Sequence, residues 1–218
     1  MTRLLRDRDP KKLHLITCRT RGAKLWFVPS KDINELFGGV IARYQERYEI
    51  ELFAYAVLGN HYHQLARAPK QNLARYAEDV NKQIALRIDR YYSRTGTLWG
   101  RRYADQITIT EMDEEEGWLY ATTNPVKHGL VAHPRLWPGL SSWNQCLTGK
   151  DRNFAFTHWE SFNRARRKAP PGTAVKLSDH QTWHTLKVTP LPSYAHLSYE
   201  ERNNILVPLA EERTDALI

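Results

Sequence analysis

His61 and His63 stand two residues apart in the run LGNHYHQL, and Tyr120 and Asn124 stand four apart just before a proline. On a β-strand, residues i and i+2 share a face, so the two imidazoles project together with Tyr62 on the other side. On an α-helix, residues i and i+4 share a face, about 6 Å apart along the axis, so a phenol and a carboxamide project together. Two imidazoles make half of a metal site, and the amide oxygen of Asn124 is a suitable further ligand for Mg2+ or Mn2+. A metal polarising a phosphoryl oxygen beside a tyrosine hydroxyl is a site for nucleophilic phosphoryl transfer. Tyr120 would attack a phosphodiester, and the phosphotyrosine bond would keep the energy of the cleaved linkage for rejoining it elsewhere. Each signal alone has a plainer reading: a helical tyrosine is ordinarily packing, and an asparagine before proline is ordinarily a helix end.

The elements that must position these residues are legible in the same way. Residues 13–18 alternate as a strand, 19–24 form a basic turn, and 25–28 read as a second short piece of strand. Asp32 and Glu35 have capping-box spacing and open a helix whose apolar stripe includes Ile33, Phe37, Val40, Ile41 and Tyr44. Gly38-Gly39 weakens that helix without breaking its pattern. Residues 51–57 and 61–67 alternate as an antiparallel pair joined at Gly59-Asn60, two residues that tolerate positive φ. A helix follows over 72–93, with Arg87 among its polar positions, and then a strand over 104–110. Asp113 and Glu116 suit a second capping box opening the helix of Tyr120, which Pro125 should end or nearly end. Beyond Gly129, Pro134 and Pro138 point to an extended wrap over the body. The spacing divides the chain into a domain over 1–150 and a C-terminal extension over 151–218, partly extended or helical. The extension holds a basic cluster from Arg164 to Lys168, a Pro170-Pro171-Gly172 linker, and a last helix from Ser198 and Glu201 that Pro208 interrupts.

Composition narrows the partners. The chain has 218 residues, 41% hydrophobic and 26% charged, as expected of a globular protein. No apolar run is long enough to cross a bilayer and the basic N-terminus lacks a signal-peptide core, so no membrane partner and a cytoplasmic location are expected. Cys18 and Cys146 show no motif spacing. Net charge is +8, and it is concentrated: residues 151–218 hold nine Lys/Arg and eight Asp/Glu, leaving 23 and 16 in the first 150. A basic body suits a polyanion such as nucleic acid. In the run GTLWGRRY, Arg101 and Arg102 lie between Trp99 and Tyr103, and arginines hold phosphates where aromatics stack on bases. His14, His128 and His133 are read as structural, although Lys127 and His128 lie near enough to Tyr120 to touch the same substrate.

The ordered set GNHYH, GTLWGRRY and Tyr120-Ala121-Thr122-Thr123-Asn124-Pro125, followed by VKHGLV, resembles the single-tyrosine HUH transposases of the insertion-sequence type. It is most similar to their domesticated branch, the REP-associated tyrosine transposases. The resemblance spans residues 13–145. It implies an α+β fold, with a ferredoxin-like antiparallel sheet backed by helices. It also implies a divalent metal at His61, His63 and Asn124, with Tyr120 as catalytic nucleophile. The implied partner is single-stranded DNA, usually bearing a hairpin, bound by a monomer or homodimer. Arg101, Arg102, Trp99, Lys127 and Arg87 are the expected DNA contacts. Two positions depart from the family pattern, Thr122 where a histidine is usual and Gln64 where apolar residues are common.

Three activities remain open on these residues. One is a DNA transposase, a single-stranded DNA endonuclease and strand transferase. The second is a catalytically silent module of the same fold that binds hairpin DNA or RNA. The third is a hydrolase using a water activated by a histidine-bound metal, for which no carboxylate stands beside the motif.

Overall fold

The alternation seen in the sequence divides a sheet into two working faces. The computed structural model describes residues 9–218; the first eight, part of the basic N-terminal stretch, lie outside the described residues. Strands β1 (His14–Arg19), β2 (Glu51–Val57), β3 (His61–Arg67) and β4 (Ala104–Ile107) form one antiparallel sheet in the order β2-β3-β1-β4. Helix α1 (Lys31–Tyr48) joins β1 to β2, and α2 (Leu73–Tyr91) joins β3 to β4. This βαββαβ order with β1 and β3 central is the ferredoxin-like arrangement. On β3, Tyr62, Gln64 and Ala66 point toward α1 and α2, where Tyr76 donates to Gln64 Oε1 at 2.8 Å. The alternate residues His61, His63 and Leu65 point to the opposite face, covered by α3 (Glu111–Lys127). Residues in and just before β1 follow the same rule: Ile16 and Cys18 join the α1–α2 core, while Leu13 and Leu15 join the α3 core.

Local chemistry sets the helix ends, in places differently from the spacing rules. Ser30, not Asp32, caps α1, its hydroxyl accepting from Ile33 N at 3.1 Å. Thr110 caps α3 and forms a reciprocal capping box with Asp113, three residues before the expected Asp113–Glu116 pair. Pro125 lies inside α3, which ends two residues later at Lys127, close to the expected end. A proline lacks only its own N–H, and the next turn is closed by His128 N to Asn124 O and Leu130 N to Pro125 O. Pro208 likewise lies inside α6 (Tyr199–Asp215). Gly59 and Asn60 turn the chain without positive φ. They are held instead by neighbours: Phe27 N donates to Gly59 O, and Thr20 N donates to Asn60 O. Residues 25–28 form no strand; they make a turn whose Phe27 is buried edge-on against Phe37 while Leu25 and Val28 face solvent.

Residues after 129 pack onto the body. The short helix α4 (Trp143–Thr148) and the segment before it cover the β2 edge, with Val57 N donating to Leu140 O and Ser142 N to Tyr55 O. Strands β5 (Arg152–Thr157) and β6 (Gln181–Leu186) form a second antiparallel hairpin that places Phe154, Phe156 and Leu186 in the α1–α2 core. The hairpin lies across α1 at Gly38-Gly39. A Cβ on Gly38 would clash with the Phe154 ring, and one on Gly39 would strike the Ala155 carbonyl oxygen. The glycine pair that weakens the helix is therefore what lets a strand touch it. Helix α5 (Trp159–Lys168) carries the basic cluster, and α6 packs against α3 through Arg213 to Glu116 at 2.5 Å. Among the described residues no helix is long and apolar enough to cross a membrane.

Candidate active site

The histidine strand and the tyrosine helix meet rung by rung. Two residues along a strand advance about 6.8 Å, and three or four along a helix advance about 4.5–6 Å, so every second strand residue can face one turn of helix. Leu65 opposes Gly117, where a Cβ would come within 3.1 Å of Leu65 Cδ1. His63 opposes Tyr120, with ring centroids 5.1 Å apart and planes at 89°. His61 opposes Asn124, with Nε2 3.3 Å from Oδ1. Gly117, which the sequence did not single out, is the point of close approach that seats the helix on the strand. Its signal was a glycine one turn before Tyr120, indistinguishable in the sequence from a weak helix position.

Hydrogen bonds on the outer side of each imidazole fix its orientation. Asn60 Nδ2 donates to Ala23 O at 3.0 Å, which leaves Asn60 Oδ1 as acceptor for His61 Nδ1–H at 2.6 Å. His61 Nε2 is then a bare lone pair, and it faces a second lone-pair atom, Asn124 Oδ1. His63 Nδ1 lies 2.7 Å from Thr17 Oγ1, its cross-strand partner in the β1–β3 register. His63 Nε2 is buried with no protein partner, as is Asn124 Nδ2. Two acceptor atoms converging without a donor between them, beside an orphaned imidazole nitrogen, leave electron pairs that only a cation or a donor can satisfy.

Electrostatics agree with a ligand role. Burial pushes His61 down to about 4 and His63 down to about 3, the latter aided by His61, His128 and Lys127. Both imidazoles are neutral at neutral pH, the form that coordinates a metal. Among the described residues no cluster of three His, Cys, Asp or Glu completes a metal site. The set His61, His63 and Asn124 offers two neutral nitrogens and one amide oxygen, which fits a divalent ion that keeps open positions for phosphate oxygens. The outer hydrogen bonds from Asn60 and Thr17 are those expected around ligating histidines. In the sequence Asn60 reads as part of a turn and Thr17 as part of a strand, and neither is placed behind an imidazole.

The other expected contacts divide into near and far. Lys127 Nζ sits 4.4 Å from the Tyr120 ring centroid, and the His128 ring lies 5.1 Å from that of His61. Arg101 and Arg102 are exposed on the turn before β4, where Gly100 N donates to Arg19 O and Arg19 is the cross-strand partner of His61. The turn thus borders the His61 end of the sheet. Trp99 is half-buried, with Nε1 donating to Asn81 O at 2.9 Å and its ring packed on Phe27 and Tyr62. Arg87 is brought to none of these groups. It lies on α2, behind the sheet, donating to Thr157 O at 2.9 Å, and burial lowers its pKa to about 10.

Known proteins bear on this geometry in two ways. A family model described as IS200-like transposase matches residues 10–115. That span contains both histidines and ends five residues before Tyr120. Among solved structures, a REP-associated tyrosine transposase bound to a REP hairpin is similar over 81% of this chain and 93% of its own, at 18% identity and a TM-score of 0.56. A crystal structure of a transposase assigned from Deinococcus radiodurans R1 aligns over 52% of this chain and 92% of its own, at 16% identity and a TM-score of 0.39. No curated protein matches the chain. The first structural likeness shows that the α+β fold is shared; it says nothing by itself about individual residues.

Proposed function

Residues 10–115 belong to the IS200-like transposase family, and from that premise we propose that the chain cleaves and rejoins single-stranded, hairpin-bearing DNA through Tyr120. The observation that carries this reading is the meeting of His61, His63, Asn124 and Tyr120 on one β3–α3 face of a single chain. No second subunit is needed to complete the set, which suits a monomer and equally each half of a homodimer.

In this reading His61 and His63 through Nε2, and Asn124 through Oδ1, would hold a divalent ion such as Mg2+ or Mn2+. When bound, that ion polarises a non-bridging phosphoryl oxygen of the DNA strand. Tyr120 Oη forms a bond to phosphorus as one bridging P–O bond of the strand breaks. The phenol loses a proton and the departing oxygen gains one, so the exchange is balanced and reversible. Lys127 places positive charge beside the ring that carries the nucleophile, where the phosphate must come. Arg101 and Arg102 extend that charge along the end of the sheet. Thr122, where the family pattern has histidine, is buried and bonds to Trp118 O at 2.8 Å within its own helix, so this chain keeps no imidazole there.

The test is capture of the covalent intermediate. A hairpin-bearing single strand incubated with Mn2+ should yield a protein–DNA adduct that survives denaturing electrophoresis. Tyr120→Phe should abolish the adduct and leave DNA affinity within about threefold. Adduct formation by the phenylalanine variant would reassign the nucleophile. Strand cleavage by the wild type with no adduct would favour a water-using hydrolase, and binding without cleavage over a broad set of hairpins would favour a silent binding module.

A further inference from the structure

Behind the sheet, on the face away from Tyr120, α1, α2, β5 and α5 enclose an open groove of about 640 Å3. Four arginines line it, Arg43 from α1, Arg87 and Arg90 from α2, and Arg164 from α5, against one carboxylate, Glu160. The floor is aromatic. The guanidinium groups of Arg43, at 4.4 Å, and Arg87, at 4.0 Å, lie over the ring of Phe156, and that of Arg90 lies 3.7 Å from the ring centroid of Trp159.

The four arginines are not equivalent. Arg87 spends its donors inside the protein, on Gln83 Oε1 and Thr157 O, and ties α2 to β5. The Arg90 side chain makes no hydrogen bond to protein among the described residues; its face is used by Trp159, which leaves its in-plane N–H groups available. Arg43 has a buried Nε without any partner and one long contact, 3.5 Å, from Nη1 to His184 Nε2. Arg164 is exposed and holds only Glu160 of its own helix, at 3.3 Å. A guanidinium stacked on an aromatic ring keeps its edge for bidentate bonds, and that edge matches phosphate oxygens. The positive field is felt locally: His158 in the same groove is held below its ordinary pKa by burial first, then by Arg43 and Arg87.

We propose that this groove is a second DNA contact, taking the phosphodiester backbone through Arg43, Arg90 and Arg164, while the aromatic floor holds those arginines in place. It is built half from the body and half from residues after 150, so the C-terminal hairpin and α5 gain a binding role as well as a packing one. The choice of DNA as the polyanion rests on the transposase reading of the chain, not on the chemistry at Tyr120. A strand engaged at Tyr120 would have to pass around the sheet to reach the groove, so affinity gained here is separable from cleavage.

The experiment uses the full chain with Tyr120→Phe, which prevents any covalent step. Fluorescence anisotropy with a labelled single strand of about 20 nucleotides, long enough for more than one contact surface, is read over a salt series. Replacing Arg43, Arg90 and Arg164 together by Gln should weaken binding at least about tenfold at low salt. It should also flatten the plot of log affinity against log salt by about 2, near 0.7 for each phosphate that is no longer neutralised. The control replaces Arg166, Arg167 and Lys168 of the same helix, which removes equal charge outside the groove; it should cost less than about threefold. Equal effects from the two sets, or none from either, overturn the proposal. If the groove variant does not fold, hydrogen exchange of the Tyr120→Phe chain decides: slowed exchange over 158–164 with DNA is expected, and unchanged exchange there overturns it. Because no readout is cleavage, absence of an adduct in the earlier experiment leaves this result intact.

Discussion

His61 Nε2 and Asn124 Oδ1 face each other at 3.3 Å, an imidazole nitrogen that the Asn60 hydrogen bonds leave as an acceptor opposite an amide oxygen that can only accept. Sixty-three residues separate the pair in sequence. Buried from solvent, two lone pairs at that distance repel, and the packing of Gly117 against Leu65 one turn away holds helix and strand together against that repulsion. Replacing Asn124 therefore tests the site directly. Asn124→Ala should weaken Mn2+ binding by about tenfold or more by isothermal titration, and should also raise the melting temperature of the metal-free protein by relieving the repulsion. Asn124→Asp keeps the shape, adds a charge, and should bind Mn2+ more tightly than the wild type. Equal affinity in all three proteins would remove Asn124 from the ligand set.

Thr17 is proposed to aim His63 without touching substrate. Its Oγ1 lies 2.7 Å from His63 Nδ1, which leaves Nε2 facing the site. Thr17→Val preserves volume and strand propensity and deletes only the bond. Loss of such an outer partner commonly costs 10–100-fold in metal affinity. Thr17→Ser, which restores the hydroxyl, should recover most of it. A merely structural role for Thr17 would lower the melting temperature in the valine variant without separating the affinities of valine and serine.

Gly38 and Gly39 mark where β5 crosses α1, and their obstacles differ in kind. At Gly38 the obstacle is the Phe154 side chain; at Gly39 it is the Ala155 carbonyl. Alanine would gain about 1 kcal/mol of helix propensity at either site, against about 1–3 kcal/mol for overpacking. Gly38→Ala should destabilise modestly and be rescued by Phe154→Leu in a denaturant titration. Gly39→Ala should destabilise more, with no rescue from any side chain of β5. Rescue of both by Phe154→Leu would show that the hairpin can slide along the helix.

Tyr194 reports on the clamp over α3 through pH. Its hydroxyl donates to Glu115 Oε2 at 2.5 Å, and that bond, followed by burial, raises its pKa to about 12. A raised folded pKa means that the protonated phenol is favoured by folding. The contribution is complete below the unfolded value near 10 and is lost as pH rises toward 12. The melting temperature of the wild type should exceed that of Tyr194→Phe at pH 8, and the gap should close between about pH 10 and pH 12. A gap that widens over that window would contradict the assignment.

The amino-acid sequence determined what covalent geometry repeats at short range. Alternation put His61 and His63 on one side of a strand and Tyr62 on the other, and the helical period put Tyr120 beside Asn124; both hold in the structure. It also determined the helices and strands of the body, because apolar spacing is set by how each element buries one face. Tertiary structure decided what no window of neighbouring residues contains. It chose which strand face meets which helix face, and it placed Thr17 and Asn60 behind the imidazoles through strand register and a crossing turn. It turned Arg87 from an expected DNA contact into a tie between α2 and β5, behind the sheet. It let α3 and α6 run through Pro125 and Pro208, because neighbouring bonds and packing outweigh one missing donor. And it gave the Gly38-Gly39 pair its purpose, since a close approach of two backbones exists only once residues more than a hundred apart in sequence have met.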